Sequence, residues 1–128
     1  REGGSAEVYA YVHCAVTDRD RFAETARRDL FAYAVADGYA RQFARAGFAD
    51  DVATMQERWA ARDRDGAVAA IGDAWVDAIQ IMGDADHVRA RVDDYAAAGV
   101  DLPIVFALPW GEDRAATVRT TLEALAPR

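Results

Sequence analysis

Residues 8–16, VYAYVHCAV, decide how the rest of the chain is read. Val8, Ala10, Val12, Cys14 and Val16 fall on one side at period two; Tyr9, Tyr11, His13 and Ala15 fall on the other. β-Branched and aromatic residues at that period predict a strand. Two largely apolar faces predict a parallel strand covered on both sides. Thr17 and Asp18 stop it and are placed to cap a following helix. Residues 102–108, LPIVFAL, form a second apolar run, bounded by Gly99 upstream and by Pro109 and Gly111 downstream. This run predicts a buried strand, with Pro103 near its start, where a missing N–H is tolerated.

Between the two runs the period is helical. Phe22, Ala26, Leu30 and Tyr33 recur at steps of four, four and three, which predicts an amphipathic helix to about Ala36. Gly38 bends the chain, and a short second helix carries Tyr39 and Phe43 to Gly47. Asp50 or Asp51 is expected to cap a third helix bearing Val52, Met55 and Trp59, and Asp63 and Asp65 bracket a turn. A fourth helix with Val68, Ile71, Trp75, Ile79 and Met82 on one face is expected to run to Gly83. Asp84 caps the next, with Val88, Val92, Tyr95 and Ala96 inward, and Gly99 ends it at the usual glycine position. Glu112 and Asp113 open a final helix that buries Val118, Leu122 and Leu125 and stops at Pro127. Two strands so far apart cannot form a hairpin, so a parallel crossover is implied. Two strands also make too small a sheet to stand alone. The expected fold class is therefore α/β and mostly helical, part of a larger architecture that looks like the tail of a barrel. A chain that opens on Arg1 rather than Met is expected to be a processed product or a piece of something longer.

Composition narrows the function. With 128 residues, 52% hydrophobic and 29% charged, the chain has the material for one ordered domain-sized segment. Alanine fills 30 positions and all 15 basic residues are arginine, so helix should dominate. A net charge of −7 repels phosphate backbones, and no basic stripe with interleaved aromatics occurs; nucleic-acid partners are not expected. No apolar run approaches the ~20 residues that span a bilayer, so no membrane partner is expected either. The single Cys14 cannot form an internal disulfide, which favours a reduced, cytoplasmic setting.

Four segments in order carry a resemblance: YARQFARAGF (residues 39–48), the Trp59 helix, DAWVDAIQIMG (73–83) and DADHVRARVDDYAAAGV (84–100). Together they resemble the C-terminal part of luciferase-like monooxygenases, nearest the branch that uses the deazaflavin coenzyme F420. The resemblance implies that the chain is a C-terminal fragment of a (β/α)8 TIM barrel of roughly 300 residues. Val8–Val16 would be its seventh strand, Leu102–Leu108 its eighth and residues 114–126 the closing helix. It further implies a parent that moves hydride between F420, or FMN in the nearer monooxygenase variant, and an organic small-molecule substrate. The parts that hold most of the cofactor lie in the six absent strands. No cofactor is therefore expected on this chain alone, and no catalytic residue can be carried onto it. Its expected partner is the missing N-terminal barrel portion or a second copy of itself. A small helical protein–protein interaction or assembly module, with no enzymatic activity, is the alternative.

Four residues are candidates for the substrate side. His13, near the C-terminal end of the first strand, would face the active-site end of a barrel as a hydrogen-bond donor or general acid. Trp110 follows the second strand and could wall a flat ring. Tyr39 and Arg41 open the short second helix, and Arg41 suits an anionic substrate or cofactor tail. Each has a plain reading too: a packed histidine, a loop aromatic under the last helix, a solvated arginine. Cys14 reads as an inert buried thiol and His87 as a surface residue. The doublets Asp50–Asp51 and Asp93–Asp94 read as solvated, and Trp59 and Trp75 as core. Two histidines and one cysteine without ligand spacing predict no metal site.

Overall fold

A computed structural model describes residues 7–127. In chain order the elements are β1 (Tyr9–Val16), α1 (Arg19–Ala34), α2 (Asp37–Phe43), a π-helical turn (Ala44–Phe48), α3 (Ala49–Ala60) and α4 (Arg64–Ala69). There follow α5 (Asp73–Ile79), β2 (Gln80–Gly83), α6 (Ala85–Ala97), β3 (Leu102–Ala107) and α7 (Arg114–Leu125). The fold is α/β and 64% helical, with one parallel sheet of three strands among the described residues. The chain divides into two compact units: residues up to 20 together with 79 onward, and residues 21–78.

The first unit holds the sheet, in the order β2-β1-β3. β1 pairs with β3 along its whole inner length, from Tyr9 opposite Leu102 to Cys14 opposite Ala107. Its other edge pairs only at the C-terminal half, from His13 opposite Gln80 to Val16 opposite Gly83. One face of this sheet is closed by α6 and α7. Val12 and Cys14 of β1, Ile81 of β2 and Val88 of α6 are buried there, with Val92, Tyr95, Val105 and Leu125 packed around them. Asp84 and Asp113 cap the two helices, accepting from the backbone N–H of His87 (2.8 Å) and Ala116 (3.0 Å). Gly99 follows α6 at φ +99°, a left-handed position that a side chain would strain.

β2 corrects the sequence reading. The helix expected to reach Gly83 breaks twice: α4 stops at Ala69, and α5 ends at Ile79, where the chain extends. Residues 79–82, Ile-Gln-Ile-Met, satisfy a helical stripe and a strand equally well, and short apolar runs before a Gly-Asp stop are ambiguous in this way. Pairing with the β1 edge settles it, because that edge offers backbone donors and acceptors that need partners.

The second unit is helical. Ala26, Leu30, Phe31 and Ala34 of α1 are buried, as are Val52 and Met55 of α3, Val68 of α4 and Trp75 of α5. Phe43 and Phe48 pack on Trp75 with ring centroids at 5.1 and 5.9 Å, which fixes the π-helical turn over α5. Gly47 in that turn sits at φ +112°, so the chain changes direction there without strain. Two expectations change. Phe48, not an aspartate, precedes α3, and Asp51 instead accepts from the Gly72 N–H at 3.3 Å. Trp59 is not core: it is 44% exposed and meets Phe31 edge-on at 5.3 Å.

Candidate functional site

In parallel strands, residues opposite one another share a face. Gln80, His13 and Phe106 therefore form one row across β2, β1 and β3, on the face away from α6 and α7. One step toward the N-terminal end lie Tyr11 and Ile104; one step toward the C-terminal end lie Ala15 and Met82. The row marks a boundary. Ala15, Met82 and Gln80 are buried, whereas Tyr11 is 72% and Phe106 52% exposed, and Tyr9 and Leu102 are exposed below them.

His13 sits at that boundary. Its ring lies 4.9 Å from the Phe106 ring, tilted by 35°. Its Nδ1 is buried and has no hydrogen-bond partner among the described residues. A buried polar nitrogen costs free energy until something pairs with it. Beside a buried amide (Gln80) and an apolar wall (Phe106, Ile104), the imidazole can offer one hydrogen bond to a polar group on a flat or apolar molecule. The N-terminal end of the same face is acidic. Asp101 accepts from the Val8 N–H at 2.7 Å, and the Tyr9 hydroxyl donates to Glu7. That bond to the Glu7 carboxylate pushes the Tyr9 phenol above its ordinary value, with desolvation and the Asp101 charge adding to it.

Behind the row, Cys14 points into the helix-covered core. Burial pushes its thiol up to about 11, so it remains a protonated, unreactive group at neutral pH. Trp110 is half-buried in the loop after β3, and its carbonyl accepts from the Thr17 hydroxyl at 2.6 Å. This bond ties the loop to the C-terminal end of β1. A further tie runs from the Val16 N–H to the Thr121 hydroxyl (2.9 Å), which itself donates to the Thr117 carbonyl (2.8 Å).

Thus His13 and Trp110 belong to the sheet unit, and Tyr39 and Arg41 to the helical one. Tyr39 packs in an aromatic series, 5.3 Å from Tyr33 and 6.3 Å from Phe43. Arg41 is exposed and lines a cleft of about 210 Å³ with Asp37, Ala40, Ala44, Val52 and Gln56. His87 is exposed, and its N–H completes the α6 cap. Gln80, Phe106 and Thr121 are the residues of the row and its ties that sequence reasoning misses; Phe106 reads as one more apolar residue of a buried strand. Gln80 is hidden in a stretch that reads as helix, and Thr121 resembles any helix threonine until α7 is laid on β1.

A family model for luciferase-like monooxygenases matches residues 1–102. The chain belongs to that family. No curated protein and no solved structure matches it. The matched region runs from β1 through α6 to the first residue of β3, so it contains His13 and Gln80 and stops short of Phe106 and Trp110. The family name points to a flavin-type oxidoreductase relative. The bare face fits part of that assignment. An aromatic, apolar wall with one imidazole suits the ring or substrate side of such a site. It does not fit a phosphate-bearing cofactor tail, because the charged neighbours at its N-terminal end, Glu7 and Asp101, are anionic. Among the described residues no group of three or more His, Cys, Asp or Glu side chains could hold a metal ion. No helix among them is long and apolar enough to cross a membrane.

Proposed function

We propose that this chain is the C-terminal segment of a luciferase-like oxidoreductase barrel. It supplies β1 and β3 as the last two barrel strands and the row Gln80–His13–Phe106 as part of the substrate-side wall. The parent transfers hydride between a deazaflavin, coenzyme F420, or FMN and an organic substrate; the bound ring system supplies that chemistry. This chain's own residues orient the substrate and exclude water. His13 holds a polar group of the substrate through its ring nitrogen. Phe106 and Trp110 wall it; Tyr39 and Arg41, in the helical unit, are separate substrate-side candidates. The isolated chain is inert, and it works in a cytoplasmic, reducing setting that keeps Cys14 a thiol.

The observation that carries this reading is the unequal sheet. A parallel sheet closed by helices on one face and exposed over the N-terminal half of the other, with an edge at Tyr9–Val12 that no described strand pairs, asks for more strands and a filled interior. The partner is accordingly the N-terminal barrel portion, with a second copy of this chain as its stand-in. β2 lies on the edge where a preceding barrel strand would pair, so barrel completion either uses the remaining Tyr9–Val12 edge or displaces β2.

Fluorescence titration of F420 and of FMN tests the reading. The chain alone should leave both signals unchanged, and the same chain joined to the N-terminal strands encoded before it should bind one of them. Tight binding by the chain alone overturns the proposal. A joined protein that binds neither favours the helical assembly module.

A further inference from the structure

The helical unit contains another candidate site, remote in sequence from the His13 row. A cleft of about 670 Å³ is lined by Glu24, Arg27 and Arg28 of α1, by Arg64 and Val68 of α4, and by Ile71 and Asp73 beyond it. That volume falls in the range of small-molecule sites, ~300–1,000 Å³. The three arginines are held in different ways. Arg27 is fully engaged: its Nε donates to the Ile71 carbonyl at 2.9 Å, it pairs with Asp73, and Glu24 lies 3.6 Å away. It therefore fastens α1 to the segment before α5 and has little left for a ligand. Among the described residues Arg28 has one loose contact, 3.8 Å to Glu24, and it is largely exposed.

Arg64 differs from both. Its guanidinium lies over the Phe31 ring at 5.4 Å, and Phe31 is itself buried and braced by Trp59. No hydrogen bond or ion pair holds it among the described residues. Elsewhere in the chain, arginines such as Arg58, Arg89 and Arg91 face a carboxylate. An arginine stacked on a ring keeps its orientation while its N–H fork stays open to an oxyanion. Ala69 supplies exposed apolar surface at the same cleft, over the buried Val68 and Ile71.

We infer that this cleft binds a small organic anion, its carboxylate or phosphate on the Arg64 fork with Arg28 in support and its apolar body against Ala69. Asp65, exposed beside Arg64, opposes the ligand's charge and keeps binding weak. The site is therefore suited to a metabolite present at high concentration, with a Kd of about 1 mM.

Backbone amide NMR titrations of the full chain at constant ionic strength test this with two probes, benzoate and inorganic pyrophosphate. Saturable shifts confined to residues around 24–31 and 64–73 are expected with both probes, and the stronger binding with benzoate; a preference for pyrophosphate would overturn the apolar seat. Arg64→Met should weaken binding about tenfold, and Asp65→Asn should strengthen it about threefold, each with the free-protein spectrum otherwise preserved. Arg28→Gln should give a smaller loss. Absence of saturable shifts with both probes, or binding indifferent to both Arg64→Met and Asp65→Asn, overturns the inference. The cofactor reading is untouched by either outcome, since neither probe nor variant involves the sheet.

Discussion

The two faces of one sheet are built from alternate residues of the same strands, yet over its N-terminal half one is buried and the other exposed. On one face Val12, Cys14 and Ile81 are buried under α6 and α7. On the other, Tyr9, Tyr11, Leu102 and Phe106 meet solvent. Burying each side chain of the covered face contributes roughly 1.5–3 kcal/mol, and the bare face forgoes that gain over its N-terminal half. The lesson is that apolar character at period two reports a surface fit for burial, and the covering element decides whether burial happens.

The largest effect should come from breaking the covered face. Ile81→Ala removes a fully buried side chain from β2 and leaves a cavity beneath Val88, at a cost of about 2–5 kcal/mol in urea unfolding. The same substitution tests whether residues 80–83 are a strand. In a helix continuing to Gly83, Ile81 would lie off the Ile79–Met82 stripe and its loss would cost little.

That ambiguity shows where the sequence is legible. β1 can be read because β-branched and aromatic residues alternate along it, β3 because it is a continuous apolar run, and clear stops bound both. The Asp84 cap can be read because the aspartate follows Gly83 and precedes a helical stripe, but the same reading fails at Asp51, which accepts from Gly72 instead of capping α3. β2 is unreadable from its own four residues: what makes it a strand is the exposed edge of β1, sixty-odd positions earlier in the chain. The candidate site inherits the same limit. His13 is visible as a polar residue in an apolar strand, but its row partners Gln80 and Phe106 are set by register. Register depends on how three distant segments pair.

A smaller break lies at the tie between the covered face and α7. Thr121→Val keeps the shape but takes away the hydroxyl that accepts from Val16, leaving a backbone N–H without its partner. A loss of about 1–3 kcal/mol is expected, with Thr121→Ser close to wild type because it retains the acceptor. Equal losses for valine and serine would show that packing, not the hydrogen bond, holds α7 on the sheet.

Cys14 sharpens the comparison through pH. The folded chain holds the thiol protonated up to about 11, whereas the unfolded chain releases its proton near the ordinary value of 9.0. Between those values the unfolded state binds fewer protons than the folded one, so stability falls as pH rises through that window and is level below it. Urea midpoints at about pH 8 and about pH 10 measure the fall. In Cys14→Ala the thiol's share of that fall disappears. A thiol reagent at neutral pH should label wild type only as fast as it unfolds; rapid labelling would mean that the covered face is open.

The smallest expected effect is on the bare face, and it is the most discriminating. Tyr11→Ser removes a large ring that is 72% exposed, so the stability of the dilute chain should change by no more than about 0.5 kcal/mol. Its twin on β1, Val12→Ser, would open a hole in the core; the pair differ by one position along the strand and by the whole of the burial term. If a second copy or the N-terminal barrel strands cover this face, Tyr11→Ser will become costly once that partner is present, while its effect on the chain alone stays near zero. A substitution harmless in isolation and damaging in the complex locates the contact on the bare face. One damaging in both would mean that this chain already covers Tyr11 with its own atoms, and the sheet would not be unequal at all.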